Sequence, residues 1–375
     1  MGVHDLADYP WDAVVPYRER AAEHPEGLVD LSIGSPVDPT PEIIRQALAE
    51  ATDAHAYPQT VGTPALREAI VDWYARRRGV ADLTVDNVLP TIGSKELVAL
   101  LPTLLGLGDG DIVVFPRVAY PTYEVGARVA GATPVAEDDP ARWPEGARLI
   151  WINTPGNPDG RTWTVEELSA AVRRARELGA VLASDECYAE LGWDGQWAEE
   201  PVPSVLDPRV TQGSRKGLLS VYSLSKQSNL AGYRAAFVAG CARIVADLLT
   251  ARKHLGLMPP APVQQAMTVA LGDDAHVAAQ KELYRARRNL LRPALEAAGF
   301  RIDGSQAGLY LWSTEGKDAW ESMGRLADLG ILAGPGPFYG ADSEQYVRLS
   351  LTAPLERVEA AAERLHGIAA RGASL

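Results

Sequence analysis

The segment LIWINTPGNPDGRTWTVEELSAAVRRARELGAVLASDECY, residues 149–188, carries one complete strand–helix–strand unit. LIWIN (149–153) and AVLAS (180–184) are apolar runs of strand length with no alternation of polar residues. Between them TVEELSAAVRRAREL (164–178) is amphipathic at helical spacing. Thr164 with Glu167 makes a capping box at its start, and Gly179 stands where a helix C-cap belongs. Strands apolar on both faces and joined by a helix belong to a parallel sheet covered on both sides.

Similar runs recur outward from this unit: VLPTI (88–92), DIVVF (111–115), LLSVY (218–222) and AAFVA (235–239). Their alternation with helical segments predicts a mostly parallel α/β sheet in a large domain over residues 46–280. From Lys281 the pattern changes to a long charged helix, then GFRID (299–303), GLYLW (308–312), a further helix, ILA (331–333), YVRLSL (346–351) and a last amphipathic helix. That is an α+β arrangement. Residues 1–45, rich in Pro and too short to fold alone, are expected to pack against it, so that 1–45 and 281–375 form a smaller domain.

Composition narrows the partners. With 36 Lys plus Arg against 49 Asp plus Glu, the net charge of −13 disfavours nucleic acid and anionic lipid. The short basic run Arg76, Arg77, Arg78 reads as a solvated helix end. The two cysteines, Cys187 and Cys241, offer neither a disulfide framework nor metal spacing, which fits a reducing cytosol. The opening MGVHDLADYP has no charged-then-apolar signal, and the apolar stretch 97–107 is interrupted by Pro102 and too short for a bilayer. A cytoplasmic protein is expected, without metal, nucleic acid or membrane as partner.

In parallel sheets ligands bind beyond the C-terminal ends of the strands. After VLPTI comes Gly93-Ser94-Lys95 at the head of a helix, equally readable as a plain N-cap or as backbone N–H groups for a phosphate. After DIVVF comes Tyr120, an aromatic that can stack on a flat ring or simply pack. LIWIN runs into NTPGNPDG, where Asn157 can serve the turn or a ligand. AVLAS runs into Asp185-Glu-Cys-Tyr188, a carboxylate beyond an apolar strand that needs a cation or a donor. LLSVY runs into SLSKQSNLAGYR, where Lys226 is flanked by Ser223 and Arg234, a hydroxyl and a planar fork suited to phosphate. A lysine nucleophile, a carboxylate, a phenol, an amide, an aromatic and a phosphate cup are together the inventory that pyridoxal 5'-phosphate needs.

The ordered set YPQTVGTPALREAI, GSKE, YPTYEV, NTPGNPDG, SDECYAEL, SLSKQSNLAGYR and YVRLSLT resembles the class I/II aminotransferases of the fold type I pyridoxal-phosphate superfamily, over roughly residues 28–365. The resemblance implies a seven-stranded, mostly parallel sheet between helices and a homodimer with active sites at the interface. It makes Lys226 the lysine that carries the cofactor, sets Asp185 on the ring nitrogen, and aims Tyr188 and Asn157 at the phenolate oxygen. It assigns Gly93, Ser94, Lys95, Ser223 and Arg234 to the phosphate, brings Tyr57 from the second subunit, stacks Tyr120 on the ring, and has Arg348 grip a substrate carboxylate beside Gly34. Asp159, where the family usually has Thr, and Pro337 depart from the pattern and put loop geometry in question.

The wording of residues 9–41, with RKHLGLMPPAPVQQAM and GLYLW, is further similar to succinyldiaminopimelate aminotransferases of the actinobacterial type. That resemblance implies ping-pong transamination between glutamate and N-succinyl-2-amino-6-oxopimelate, in lysine and diaminopimelate biosynthesis. A broader or aromatic aminotransferase and a β-lyase are the alternatives, and the segment from Tyr9 to Arg18 is the first guess for the substrate tail. A nicotinamide dehydrogenase is disfavoured because GLGDG (106–110) precedes a strand instead of following one. A hydrolase is disfavoured by six scattered histidines and no G-x-S-x-G.

Overall fold

The computed structural model describes residues 10–372. A seven-stranded sheet runs, edge to edge, through Val88–Ile92, Ala235–Gly240, Leu218–Ser223, Val181–Asp185, Ala147–Asn153, Ile112–Phe115 and Thr133–Ala136. Only Ala235–Gly240 runs against the others, being antiparallel to both of its neighbours. Ile92, Phe115, Asn153, Asp185 and Ser223 therefore all end on one edge of the sheet. Register aligns them further: Asn153 lies beside Asp185, and Ser223 and Ile92 flank Ala236 and Ala235.

Alternation along each strand builds two cores. Ile150, Ile152, Leu182 and Tyr222 pack on one face with Trp73 and Leu168, while Leu149, Trp151, Ala183 and Val221 pack on the other with Leu97 and Tyr123. The helix expected after LIWIN spans Val165–Leu178, with the Thr164 and Glu167 capping box formed and Gly179 at φ 67° closing it. Thr133–Ala136 is the strand that periodicity does not reveal. It is short, contains Pro134 and is only partly buried, as an edge strand can be.

The remaining elements form a four-stranded antiparallel sheet, Gly334–Pro335, Tyr346–Ser350, Tyr310–Thr314 and Arg301–Ile302. A two-residue parallel ladder joins Val29–Asp30 to Ile331–Leu332. Val14, Val29 and Leu31 share a core with Leu309, Leu349 and Leu365, so the N-terminal segment packs on the C-terminal part. That packing supports our proposed division at residues 46 and 281, although the helix Asp274–Ala297 crosses the second boundary. The opening residues 1–9, read above for a signal segment and for Tyr9, lie outside the described residues.

One surface reading is corrected. Arg78 is not solvated: its guanidinium and the carboxylate of Glu186 form a fully buried pair at 3.0 Å. Glu186 also accepts from the Ser204 hydroxyl and the Val205 N–H, which satisfies the charge that burial would otherwise penalise. Arg76 and Arg77 bind Asp274 and Glu190. Among the described residues no helix is long and apolar enough to cross a membrane, and no group of three His, Cys, Asp or Glu side chains could hold a metal ion.

Candidate active site

The short helix Leu224–Gln227 follows directly on its strand, and Ser223 caps it by accepting from the Ser225 N–H. This turns Lys226 back over the sheet edge, where its Nζ donates to the carbonyl oxygen of Gly34. Tyr284 donates to the Lys226 carbonyl at 3.1 Å and fixes the backbone there. Burial holds the Lys226 amine below its ordinary pKa, which favours the neutral, nucleophilic form.

On the strand that precedes Leu218–Ser223 in sequence and neighbours it in space, Asp185 is buried. Its carboxylate accepts from the Tyr123 hydroxyl at 2.9 Å and from the Cys187 N–H at 3.2 Å. Neither donor is a cation, and burial raises the acid above the usual carboxylate range despite both bonds. A buried carboxylate so placed is suited to a cationic ring N–H. Tyr123, three residues beyond Tyr120, carries no mark in the sequence that sets it on this carboxylate. Tyr120 is partly buried and meets Tyr123 edge to face at 5.8 Å.

The phosphate candidates also gather. Gly93 opens the helix Gly93–Leu104 at φ 72°, and Ile92, not Ser94, takes the cap position. A Cβ at Gly93 would fall 2.2 Å from a guanidinium nitrogen of Arg234, so the glycine makes the space that Arg234 occupies. Arg234, itself at φ 56°, donates to the Ala231 carbonyl at 2.7 Å and keeps its remaining face exposed. The Ser223 and Ser225 hydroxyls are bonded at 2.8 Å, which adds Ser225 to the cup. Lys95 is exposed and nothing in the structure draws it inward.

Arg348 is 5% exposed, far from any rim. It donates to Asn157 Oδ1 at 2.9 Å and to the Ser32 carbonyl at 2.7 Å, while its Nε has no hydrogen-bond partner among the described residues. The guanidinium lies over the rings of Tyr310 and Tyr339, 4.0 and 4.9 Å from their centroids. Asn157 is held by its N–H, which donates to Asn153 Oδ1 at 2.8 Å. Asp159 does not disturb this loop. Its carboxylate accepts from the Arg161 N–H at 3.2 Å and its carbonyl from the Ser305 N–H, pinning the turn to the C-terminal part. Pro337 sits in the 3-10 turn Gly336–Tyr339, which delivers Tyr339 to Arg348.

Lys226 meets Gly34, Arg348 meets Asn157 and, through Tyr310, Tyr188, while Asp185 ends the neighbouring strand and Gly93, Ser223 and Arg234 form a cup alongside. Tyr57 stands apart: it is 97% exposed and touches none of them within this chain. Arg18, offered for the substrate tail, is half-exposed and pairs with Asp30 at 2.7 Å. Tyr310 and Tyr339 were missed, although alternation in GLYLW places Tyr310 on the same face as Arg348.

A half-buried lysine, a buried carboxylate with no cation bonded to it among the described residues, and an arginine seated against a glycine are together suited to a phosphorylated ring aldehyde. Comparison with known proteins agrees. The family model for class I and II aminotransferases matches residues 26–365. The chain is 54% identical to 4-dedimethylamino-4-oxo-anhydrotetracycline transaminase of Streptomyces rimosus, covering 97% of this chain and 100% of that protein. It is 53% identical to a "probable aminotransferase" of Mycobacterium tuberculosis, covering 96% and 85%. Among solved structures, a "probable N-succinyldiaminopimelate aminotransferase" of Thermus thermophilus superposes with a TM-score of 0.85 at 30% identity, covering 96% of this chain and all of that one.

The chain belongs to the class I and II aminotransferases. It is a pyridoxal-phosphate-dependent enzyme of fold type I, acting on amino acids and 2-oxo acids.

Proposed function

We propose that this aminotransferase exchanges the amino group of glutamate with N-succinyl-2-amino-6-oxopimelate, and that Lys226, Asp185 and Arg348 carry the exchange. The observation behind the residue assignment is that a lysine held below its ordinary pKa, a buried carboxylate bonded to no cation and a buried guanidinium whose Nε has no partner among the described residues lie around Gly34, Tyr188 and Tyr310 and the neighbouring strand ends. The residues fit the cofactor: Asp185 lacks a cation, and Gly93 leaves the space in which Arg234 can meet a phosphate.

Bound pyridoxal phosphate supplies an aldehyde and an electron-withdrawing ring that stabilises negative charge at a substrate α-carbon. Lys226 would hold the cofactor covalently and, as a free amine, would take a proton from the substrate α-carbon onto its own nitrogen and later give it up, a task its lowered pKa suits. Asp185 would keep the ring nitrogen protonated. Tyr188 and Asn157 would donate to the ring oxygen, and Ser223, Ser225, Arg234 and the Gly93 turn would hold the phosphate. Arg348 takes the α-carboxylate shared by both substrates through a forked, charge-assisted contact. Tyr120 would cover the ring, and Tyr57, exposed here, would reach the phosphate of a second subunit in a homodimer.

The acceptor is chosen on the wording of the N-terminal segment and on likeness to the Thermus protein. A second reading, a cyclic polyketide ketone as acceptor, is favoured by the Streptomyces relative and by the phenols of Tyr310 and Tyr339 around Arg348. Half-reactions followed by absorbance separate the two. The pyridoxamine form should be consumed faster by the succinylated oxo acid than by an anhydrotetracycline ketone, and the reverse order selects the second reading.

A further inference from the structure

Tyr310 lies against Arg348 and Tyr188 yet has no part in the transamination chemistry assigned above. The ladder between Tyr310–Thr314 and Tyr346–Ser350 pairs Tyr310 with Ser350 and Trp312 with Arg348, so Tyr310 projects on the face of Arg348. Three contacts meet on this 5% exposed side chain. Its ring lies under the Arg348 guanidinium at 4.0 Å. Its hydroxyl is 3.2 Å from the Tyr188 hydroxyl. The same hydroxyl presses on Gly34, where a Cβ would fall 2.2 Å away, and it is the carbonyl of Gly34 that receives Lys226.

We propose that Tyr310 is a positioning residue of the transamination site, its ring seating Arg348 for the substrate carboxylate and its hydroxyl committing Tyr188 as a donor to the cofactor oxygen. This rests on the assignment of Lys226, Tyr188 and Arg348 made above. A phenol both gives and accepts one proton, so the direction of the bond between the two tyrosines decides what Tyr188 can do next. The groups facing the pair are Arg348 from the adjacent strand, Lys226 from the helix after Ser223, Cys187 from the turn after Asp185, and Tyr339 and Tyr120 at the outer side.

Burial raises the Tyr310 phenol, but Arg348, Lys226 and the Tyr188 bond outweigh it and leave Tyr310 below its ordinary pKa. Burial and Tyr310 hold Tyr188 well above its own. The two hydroxyls lie 3.2 Å apart, so when Tyr188 turns its proton to the cofactor oxygen its own oxygen is left to accept from Tyr310. A chain of donors is strengthened along its length. A donor into an anionic oxygen favours the proton-poor form of the bound cofactor, so Tyr310 lowers the pH at which its visible absorption changes.

The test is a pH titration of that band in the holoenzyme of wild type, Tyr310→Phe, Tyr188→Phe and the double variant. Tyr310→Phe should raise the transition by about one pH unit while leaving the KM for glutamate within about twofold, because the ring remains. In the Tyr188→Phe background the same change should produce no further shift. Tyr310→Leu, which removes the ring, should raise KM for glutamate about tenfold or more, with a smaller change in kcat. An unshifted transition in Tyr310→Phe, or an equal shift with and without the Tyr188 hydroxyl, overturns the role of the hydroxyl. An unchanged KM in Tyr310→Leu overturns the role of the ring. A wild-type protein whose cofactor is not reduced onto Lys226 by borohydride overturns the assignment of the site itself, and this inference with it.

Discussion

Lys226 and Asp185 are perturbed in opposite senses by the same cause. Burial disfavours charge on either, so the amine loses its proton more readily and the acid keeps its own more firmly. For Lys226, whose folded pKa is depressed, the neutral amine is favoured at pH values below 10.5, down to the lowered value. Covalent capture of pyridoxal phosphate by the cofactor-free enzyme should therefore rise with pH and level off below the pH at which exposed lysines react. Stopped-flow absorbance checks this, and a plateau only above pH 10.5 contradicts it. Asp185→Asn, which keeps the shape and removes the charge, should retain cofactor and reduce kcat by about three powers of ten, on the order of 4 kcal/mol of barrier. A loss under tenfold would make Asp185 a structural acid held by Tyr123 and Cys187.

The elements place these residues because five strand ends share one sheet edge, and most of that was legible. Uninterrupted apolar runs gave away the buried strands, and the capping box at Thr164 and Glu167 gave away a helix to the residue. Thr133–Ala136 escaped because an edge strand needs no apolar run, and the two-residue ladder of Val29–Asp30 is too short to leave a period. Arg78 escaped for a different reason: whether an arginine is solvated depends on Glu186, 108 residues away in sequence. The same limit hid Tyr310, whose partners Gly34, Tyr188 and Arg348 come from three separate segments. Two substitutions gauge the elements themselves. Thr164→Ala removes one cap bond and should lower stability by about 1 kcal/mol. Arg78→Met strands the Glu186 carboxylate and should lower it by about 3–5 kcal/mol. Urea unfolding of the two variants orders them, and an Arg78→Met loss no larger than that of Thr164→Ala refutes the buried-pair argument.

At the scale of the whole molecule, Tyr57 decides how many chains make a site. It is 97% exposed on the subunit that carries it, while the phosphate cup it would serve is built from Gly93, Ser223 and Arg234. If two chains share each site, mixing inactive Lys226→Ala chains with Tyr57→Phe chains under subunit exchange creates hybrids with one site free of both lesions. Activity should then exceed that of the Tyr57→Phe parent, and no gain on mixing would leave each chain catalytically separate. All of this depends on one covalent bond, and it can be weighed directly. Borohydride reduction of the holoenzyme followed by intact-mass and peptide analysis should show one phosphopyridoxyl group per chain, carried on Lys226 and absent from Lys226→Ala. A group found on another lysine, or none retained after reduction of a yellow, active enzyme, would contradict the account.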